Sequence, residues 1–263
     1  MIVDFHTHIF PDQLAEKAIR LLDENVKGVY PPVNDGTAAG LLANMDSWGI
    51  DVSVNQPVIT RHSHTKSTNE WAAAVGSDRL VSFGGIYPTE DFKHDIDFIC
   101  SLGLKGLKFH VEFQDIQLDD PLMLRIYDYA LGKGLILLHH AGFDPGFQPP
   151  FKSTPQQFAR IVKSMQGGVI IAAHLGGHAQ WDDVERHLVG TDIYLDTAMG
   201  FEYYPAEQFL RIVQNHGADK ILFGSDSPWS HAGDEIARLK ALPLTESEVA
   251  AILGGNAQRL LGL

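Results

Sequence analysis

Two histidines spaced two apart, His6 and His8, follow an apolar run at residues 2–5. Such a run reads as a buried strand, and side chains two apart on an extended chain share a side. Both imidazoles can then aim at one point past the strand end, a geometry that suits metal ligation. A lone His-x-His also occurs on ordinary surface strands. Here, however, later apolar runs end the same way. Lys108 and His110 stand at the end of the run at 104–109, His139 and His140 after 135–138, and His174 after 169–173; Asp196 follows 193–195 and Asp226 follows 221–223 shortly afterwards. Imidazoles and carboxylates gathered at one place could hold a divalent cation, activate water and move protons.

The elements that must position these groups alternate. Apolar runs at 52–58 and 80–87 bring the strand signals to eight. Helical spacing is predicted at 13–25, from a Thr37 cap to Trp48, and at 67–75, 92–101, 181–188 and 205–215. Asp120-Pro121 and Thr154-Pro155 open two more helices, and the tail carries patterns at 234–241, 246–253 and 256–261. Residues 27–36, with Pro31-Pro32 and Asn34-Asp35-Gly36, read as an insertion after the first strand that could fold over its C-terminal end. Alternating strands and helices imply a parallel sheet of the α/β class. Eight units in 263 residues point to a (β/α)8 TIM barrel with outer helices, one domain over 1–263. No glycine-rich phosphate loop follows the first strand, which weakens a dinucleotide-binding reading. In such barrels the active site lies at the C-terminal ends of the strands.

Composition narrows the partners. With 20 basic and 33 acidic residues the formal charge is −13, which offers no footprint for nucleic acid or an anionic membrane. The single cysteine, Cys100, excludes an intrachain disulfide and reads as a packed core residue. There is no signal-peptide pattern and no apolar run of membrane-spanning length, so a cytoplasmic protein acting on a small molecule is the expectation.

The motifs D-F-H-T-H at 4–8, M-D-S-W-G-I-D at 45–51, G-L-K-G-L-K-F-H at 103–110, H-A-G at 140–142, A-H-L-G-G at 173–177, F-G-S-D-S-P-W at 223–229 and G-N-A-Q-R-L-L at 255–261 resemble the amidohydrolase superfamily. The likeness is to its amidohydrolase-2 branch, which includes aminocarboxymuconate-semialdehyde decarboxylase and related metal-dependent hydrolases and decarboxylases. It covers nearly the whole chain. The resemblance implies a metal site of His6, His8, His140 and Asp226, with Asp226 also the proton acceptor. It implies that His174 stays off the metal and acts on substrate or water. Three histidines and one aspartate suit one divalent ion, Zn²⁺ first, with Mn²⁺, Co²⁺ or Fe²⁺ compatible. The implied activity is hydrolysis of an amide, lactone or ester by activated water; the alternative is non-oxidative decarboxylation of an aromatic or unsaturated acid. A homodimer is expected from the resemblance alone.

Several residues stay open at this point. Neighbouring strand residues face opposite ways, so only one of His139 and His140 should enter the site; the motif favours His140, leaving His139 packed between barrel and helices and bonded to backbone. Lys108 is a charge partner in the barrel mouth, or a carboxylated bridge between two metals, and with His110 it is a candidate for substrate binding. Asp196 and Thr197 could orient His174 or bind substrate, or be ordinary strand-end residues. His178 could reach the site, and Phe143, Phe147, Phe151, Tyr203 and Trp229 could wall an apolar substrate. Glu112 reads as a helix or rim residue. His62 and His64 read as a loop pair without metal. A phosphatase or nuclease barrel is disfavoured, because Lys108-Phe109-His110 stands where a strand-end glutamate would be expected. A non-catalytic barrel is disfavoured by the presence of both the histidine pair and Asp226.

Overall fold

The computed structural model describes residues 1–165 and 167–263. Its strands are β1 (Val3–Thr7), β2 (Val52–Asn55), β3 (Leu80–Ser82), β4 (Gly84–Gly85), β5 (Gly106–Phe109), β6 (Ile136–His139), β7 (Ile170–Ala172), β8 (Tyr194–Asp196) and β9 (Ile221–Leu222). All ladders are parallel, in two sheets ordered β1-β2-β3 and β4-β5-β6-β7-β8-β9. The predicted strand at 80–87 is thus broken at Phe83, whose N–H still donates to Asn55 O at 3.0 Å, an ordinary ladder distance. The other seam, between β9 and β1, is crossed by Phe5 N–H to Phe223 O at 2.8 Å and Asp226 N–H to His6 O at 2.8 Å. The result is an α/β barrel of eight strand positions with helices outside.

Burial on both faces explains why the strands read as apolar runs. Val3, Phe5, Val54, Phe83, Leu138, Ile171 and Leu222 pack inside the barrel. Leu107, Phe109, Leu137, Ala172, Leu195 and Phe223 face the helices. The helices start where the sequence marks them. Thr37 accepts from Gly40 N–H ahead of Ala38–Trp48, Asp120 accepts from Leu122 N–H ahead of Pro121–Gly132, and Thr154 opens Pro155–Ser164 with a capping box. A four-residue helix at Val111–Gln114 was not legible in the sequence. At the tail, Asn256 of the G-N-A motif donates to Ala218 O and Ile221 O at 2.7 and 2.8 Å, tying the last helix to β9. Among the described residues no helix is long and apolar enough to cross a membrane.

His139 sits where expected, outside the barrel, but its ring is not bonded to backbone. Both ring nitrogens are buried without a partner. The ring stacks on Phe109 at 4.7 Å and meets Tyr127 and Phe158 edge-on. Burial, and then Lys108, pushes its pKa down to about 3. The unfolded chain therefore binds a proton that the fold rejects, so stability falls as pH drops below about 6.5 towards 3. His139→Phe is expected to raise the melting temperature by about 2–4 °C near neutrality, since unpaired buried polar atoms cost about 1–3 kcal/mol. It should also make the acid-side loss of stability shallower by one proton. Thermal melts across that pH range check both.

Candidate metal centre and pocket

The mouth of the barrel is built from β1 outward. Strict alternation would turn His6 away from the side taken by Phe5. The β1–β2 register shifts between Asp4 and Thr7, which breaks that alternation. His6 and His8 then stand with their rings 5.2 Å apart at 66°. His6 Nδ1 lies 2.8 Å from Asp196 Oδ2, and His8 Nδ1 lies 2.8 Å from Gln56 O. Both partners accept only, so each Nδ1 carries the proton and each Nε2 is an unprotonated acceptor. Those two Nε2 atoms face Asp226 Oδ1 at 3.3 and 3.1 Å.

Three acceptor atoms thus converge, none carrying a proton of its own, with the Lys108 ammonium donating to His6 Nε2 from 2.8 Å; a divalent ion at the trio would take over that neutralisation. His6, His8 and Asp226 each bring a ligand atom within 4.8 Å of the others. Burial opposes charge on Asp226, but a proton on His6 or His8 beside it favours the ionised carboxyl, whose pKa lies far below the ordinary range. Burial likewise keeps both imidazoles below their usual pKa, so they are neutral ligands at pH 7. The residues present therefore fit a divalent ion, by the chemistry of their donors and not by fold alone.

Lys108 is buried, and its Nζ lies 2.8 Å from His6 Nε2. Burial lowers its pKa to about 8, against the pull of Asp226 and Asp196. Its ammonium points at the histidine, at the inner end of the cavity that it helps to line.

Asp196 was expected to serve His174. Its ring contact is with His6, which donates to Oδ2, while Oδ1 accepts from the backbone N–H groups of His174 and Ala198 at 2.9 and 3.1 Å; the His174 ring is held elsewhere. Burial works against its charge, and His6 more than offsets that, keeping the carboxyl below the ordinary range. Asp196→Asn would present an NH2 or a weaker acceptor to His6 Nδ1 and favour the tautomer with Nε2 protonated. Outer-sphere partners of this kind are worth about 10–100-fold in metal affinity. A loss in that range in a competition titration with a chelating dye is the expected result.

His140 enters the pocket, as the motif implied, but stands apart from the other three. Its Nδ1 is 3.1 Å from His174 Nε2, and its Nε2 is buried with no partner. His174 Nδ1 lies 3.0 Å from Ala198 O, so both His174 nitrogens are engaged. This chain of bonds leaves His140 Nε2 bare, a further unprotonated acceptor in the pocket but outside the trio. A second cluster of His110, His140 and Asp144 also has mutually close atoms. Its two rings, however, stack at 4.2 Å and 11°, so their in-plane lone pairs run parallel and cannot meet on one ion. His110 instead pairs with Asp144 at 3.1 Å.

Non-glycine residues with positive φ are uncommon, yet His174, Leu175, Met199 and Asp226 all have φ between 48 and 65° at this end of the barrel. Gly142 of H-A-G lets the backbone bridge to His178, where a Cβ would overlap the His178 main chain.

The cavity above these groups measures about 520 Å³. Phe143, His178 and Trp229 line it, while Phe147, Phe151 and Tyr203 pack behind. Tyr30, from the insertion at 27–36, reaches over the mouth and sets its hydroxyl 3.2 Å from His178 Nε2. Glu112 is not a rim group but is buried, accepting from Lys152 N–H at 2.6 Å. His62 pairs with Asp95 away from the cavity. Asp4, Gln56 and Asp144 escaped the sequence reading. Asp4 accepts from both Ser225 N–H and Ser225 Oγ, holding the loop that carries Asp226. Its place in D-F-H-T-H was the available signal.

A family model described as amidohydrolase matches residues 3–263. Among solved structures, an uncharacterised TIM-barrel protein from Bordetella bronchiseptica is 18% identical, covers 99% of this chain and 98% of its own, and has a TM-score of 0.79. A 5-carboxyvanillate decarboxylase from Novosphingobium aromaticivorans, complexed with manganese and a nitrobenzoic acid, is 14% identical over 100% and 96% of the two chains, with a TM-score of 0.77. A probable 2-pyrone-4,6-dicarboxylic acid hydrolase from Acinetobacter baumannii is 16% identical over 100% and 99%, with a TM-score of 0.69. No curated protein matches the chain.

Proposed function

The chain belongs to the amidohydrolase family, and on that premise we propose that it is a metal-dependent hydrolase of a small, neutral ester, lactone or amide. The charge of the pocket carries this reading. Apart from histidines, the charged side chains among the described lining residues are Lys108, Asp144 and Asp226. The lysine is turned onto His6, and no arginine is present to hold a carboxylate. Asp226 is committed to the ion, so away from it a free acid would meet Asp144 and no free cation to pair with, whereas a neutral carbonyl meets no such repulsion.

His6, His8 and Asp226 would hold one divalent ion, with His140 Nε2 as the further ligand; Zn²⁺ is the first choice for this donor set. Such an ion supplies a lowered water pKa, near ~7, and polarisation of a carbonyl. Asp226 accepts the proton of the attacking water. The water oxygen bonds to the carbonyl carbon, the bond from that carbon to the alkoxy oxygen or amide nitrogen breaks, and the proton passes to the leaving atom. The products are the acid and an alcohol or amine. Asp196 and Gln56 hold the tautomers of His6 and His8, and His174 orients His140. Lys108 keeps a positive charge beside His6, and His110, paired with Asp144, lines the substrate cavity.

Non-oxidative decarboxylation is the second reading, favoured by the likeness to 5-carboxyvanillate decarboxylase. Metal-supplemented protein should be incubated with neutral aryl esters, lactones and anilides, and separately with hydroxybenzoic acids. Release of acid from the neutral set is the expected outcome. Carbon dioxide from the acids, with the neutral set untouched, would replace the first reading with the second.

A further inference from the structure

The helix Asp12–Asn25 carries Leu14, Leu21 and Leu22, yet Ala15 is its one fully buried residue. Leu14 is 55% exposed. An apolar helix face normally packs on the core. Here Leu14 and Leu22, with Val26 just beyond the helix, line the same cavity that ends at His6, His8 and Asp226. The facing wall includes Val58 and Trp71. The roof is closed at the helix end, where Asn25 packs so tightly on Gly146 that a Cβ there would overlap its amide. The cavity is therefore polar at one end and apolar at the other, and the charged lining residues Lys108, Asp144 and Asp226 come from the strand ends and not from this helix.

We propose that the substrate carries an extended apolar arm, which lies beneath the Asp12–Asn25 helix while its carbonyl sits at the metal centre. This rests on the reading of a neutral carbonyl substrate, and it adds the substrate's hydrophobic half and the helix that selects it. The arm covers Leu14, Leu22 and Val26, the apolar surface that the fold leaves unburied. A second copy of the chain is the competing occupant of that face.

The test uses binding, which does not depend on the reaction class. Methyl n-alkyl ketones are neutral carbonyls that cannot be hydrolysed. Their affinity for metal-supplemented protein, read by titration calorimetry, should rise about fourfold per added methylene while the arm still finds apolar wall. Leu22→Asp should flatten that gradient. Leu14→Asp, at a half-exposed position that tolerates a charge, should flatten its long-chain end. A gradient absent in the unaltered protein, or unchanged in both variants, overturns the proposal. So does a dimer that Leu14→Asp converts to monomer in the absence of any gradient, which assigns the face to a second copy. A clear gradient in a protein that hydrolyses none of the neutral substrates keeps the apolar arm and removes the hydrolase reading, so the two failures are distinguishable.

Discussion

Asp226→Asn is expected to lower turnover by about a thousandfold, in the range seen when a positioned proton acceptor is removed. The substitution is a clean one for a reason of backbone geometry. Asp226 has φ of 65°, in the left-handed region that asparagine occupies more readily than most residues. Alanine at this position would mix strain with lost chemistry. Asparagine keeps an oxygen that can face His6 and His8 but cannot take the water's proton. Its effect should therefore fall mainly on kcat, with KM changing little. Steady-state kinetics on whichever neutral substrate emerges from the screen would show this. An activity loss of less than tenfold would mean that the proton goes elsewhere.

The His6→Ala/His8→Ala double variant should have the largest effect of all. It removes two of the three converging acceptors, and with them the metal and all metal-dependent turnover. A ligand present at about a thousandfold over its Kd adds about 4 kcal/mol to the stability of the folded state. In a chain of this size that corresponds to roughly 10 °C in melting temperature. Chelation should therefore lower the melting temperature of the unaltered protein by about that amount and leave the double variant unmoved.

The strands were legible because barrel strands are buried on both faces and read as apolar runs, and because polar residues at their ends stand out against those runs. The insertion at 27–36 also lies where its position after β1 suggested, with Tyr30 over the mouth. What escaped the sequence depends on irregular backbone. The register shift in β1 decides which way His6 points, and periodicity alone assumes no shift. Asp144 lies in the loop after β6, where no strand pattern marks a direction. Asp196 was visible at a strand end, but one oxygen takes the His6 ring and the other the backbone N–H of His174, and only the barrel arrangement brings β1 and β8 that near. His139 was placed correctly by alternation, yet its unpartnered nitrogens reflect an aromatic cage of Phe109, Tyr127 and Phe158 contributed by three separate segments.

The central claim is that His6, His8 and Asp226 form a cation site. Elemental analysis of metal-supplemented protein, beside the His6→Ala/His8→Ala variant, tests it most directly. The expected result is about one divalent ion per chain, absent from the variant. No bound ion in the unaltered protein, or equal content in both, would contradict the assignment.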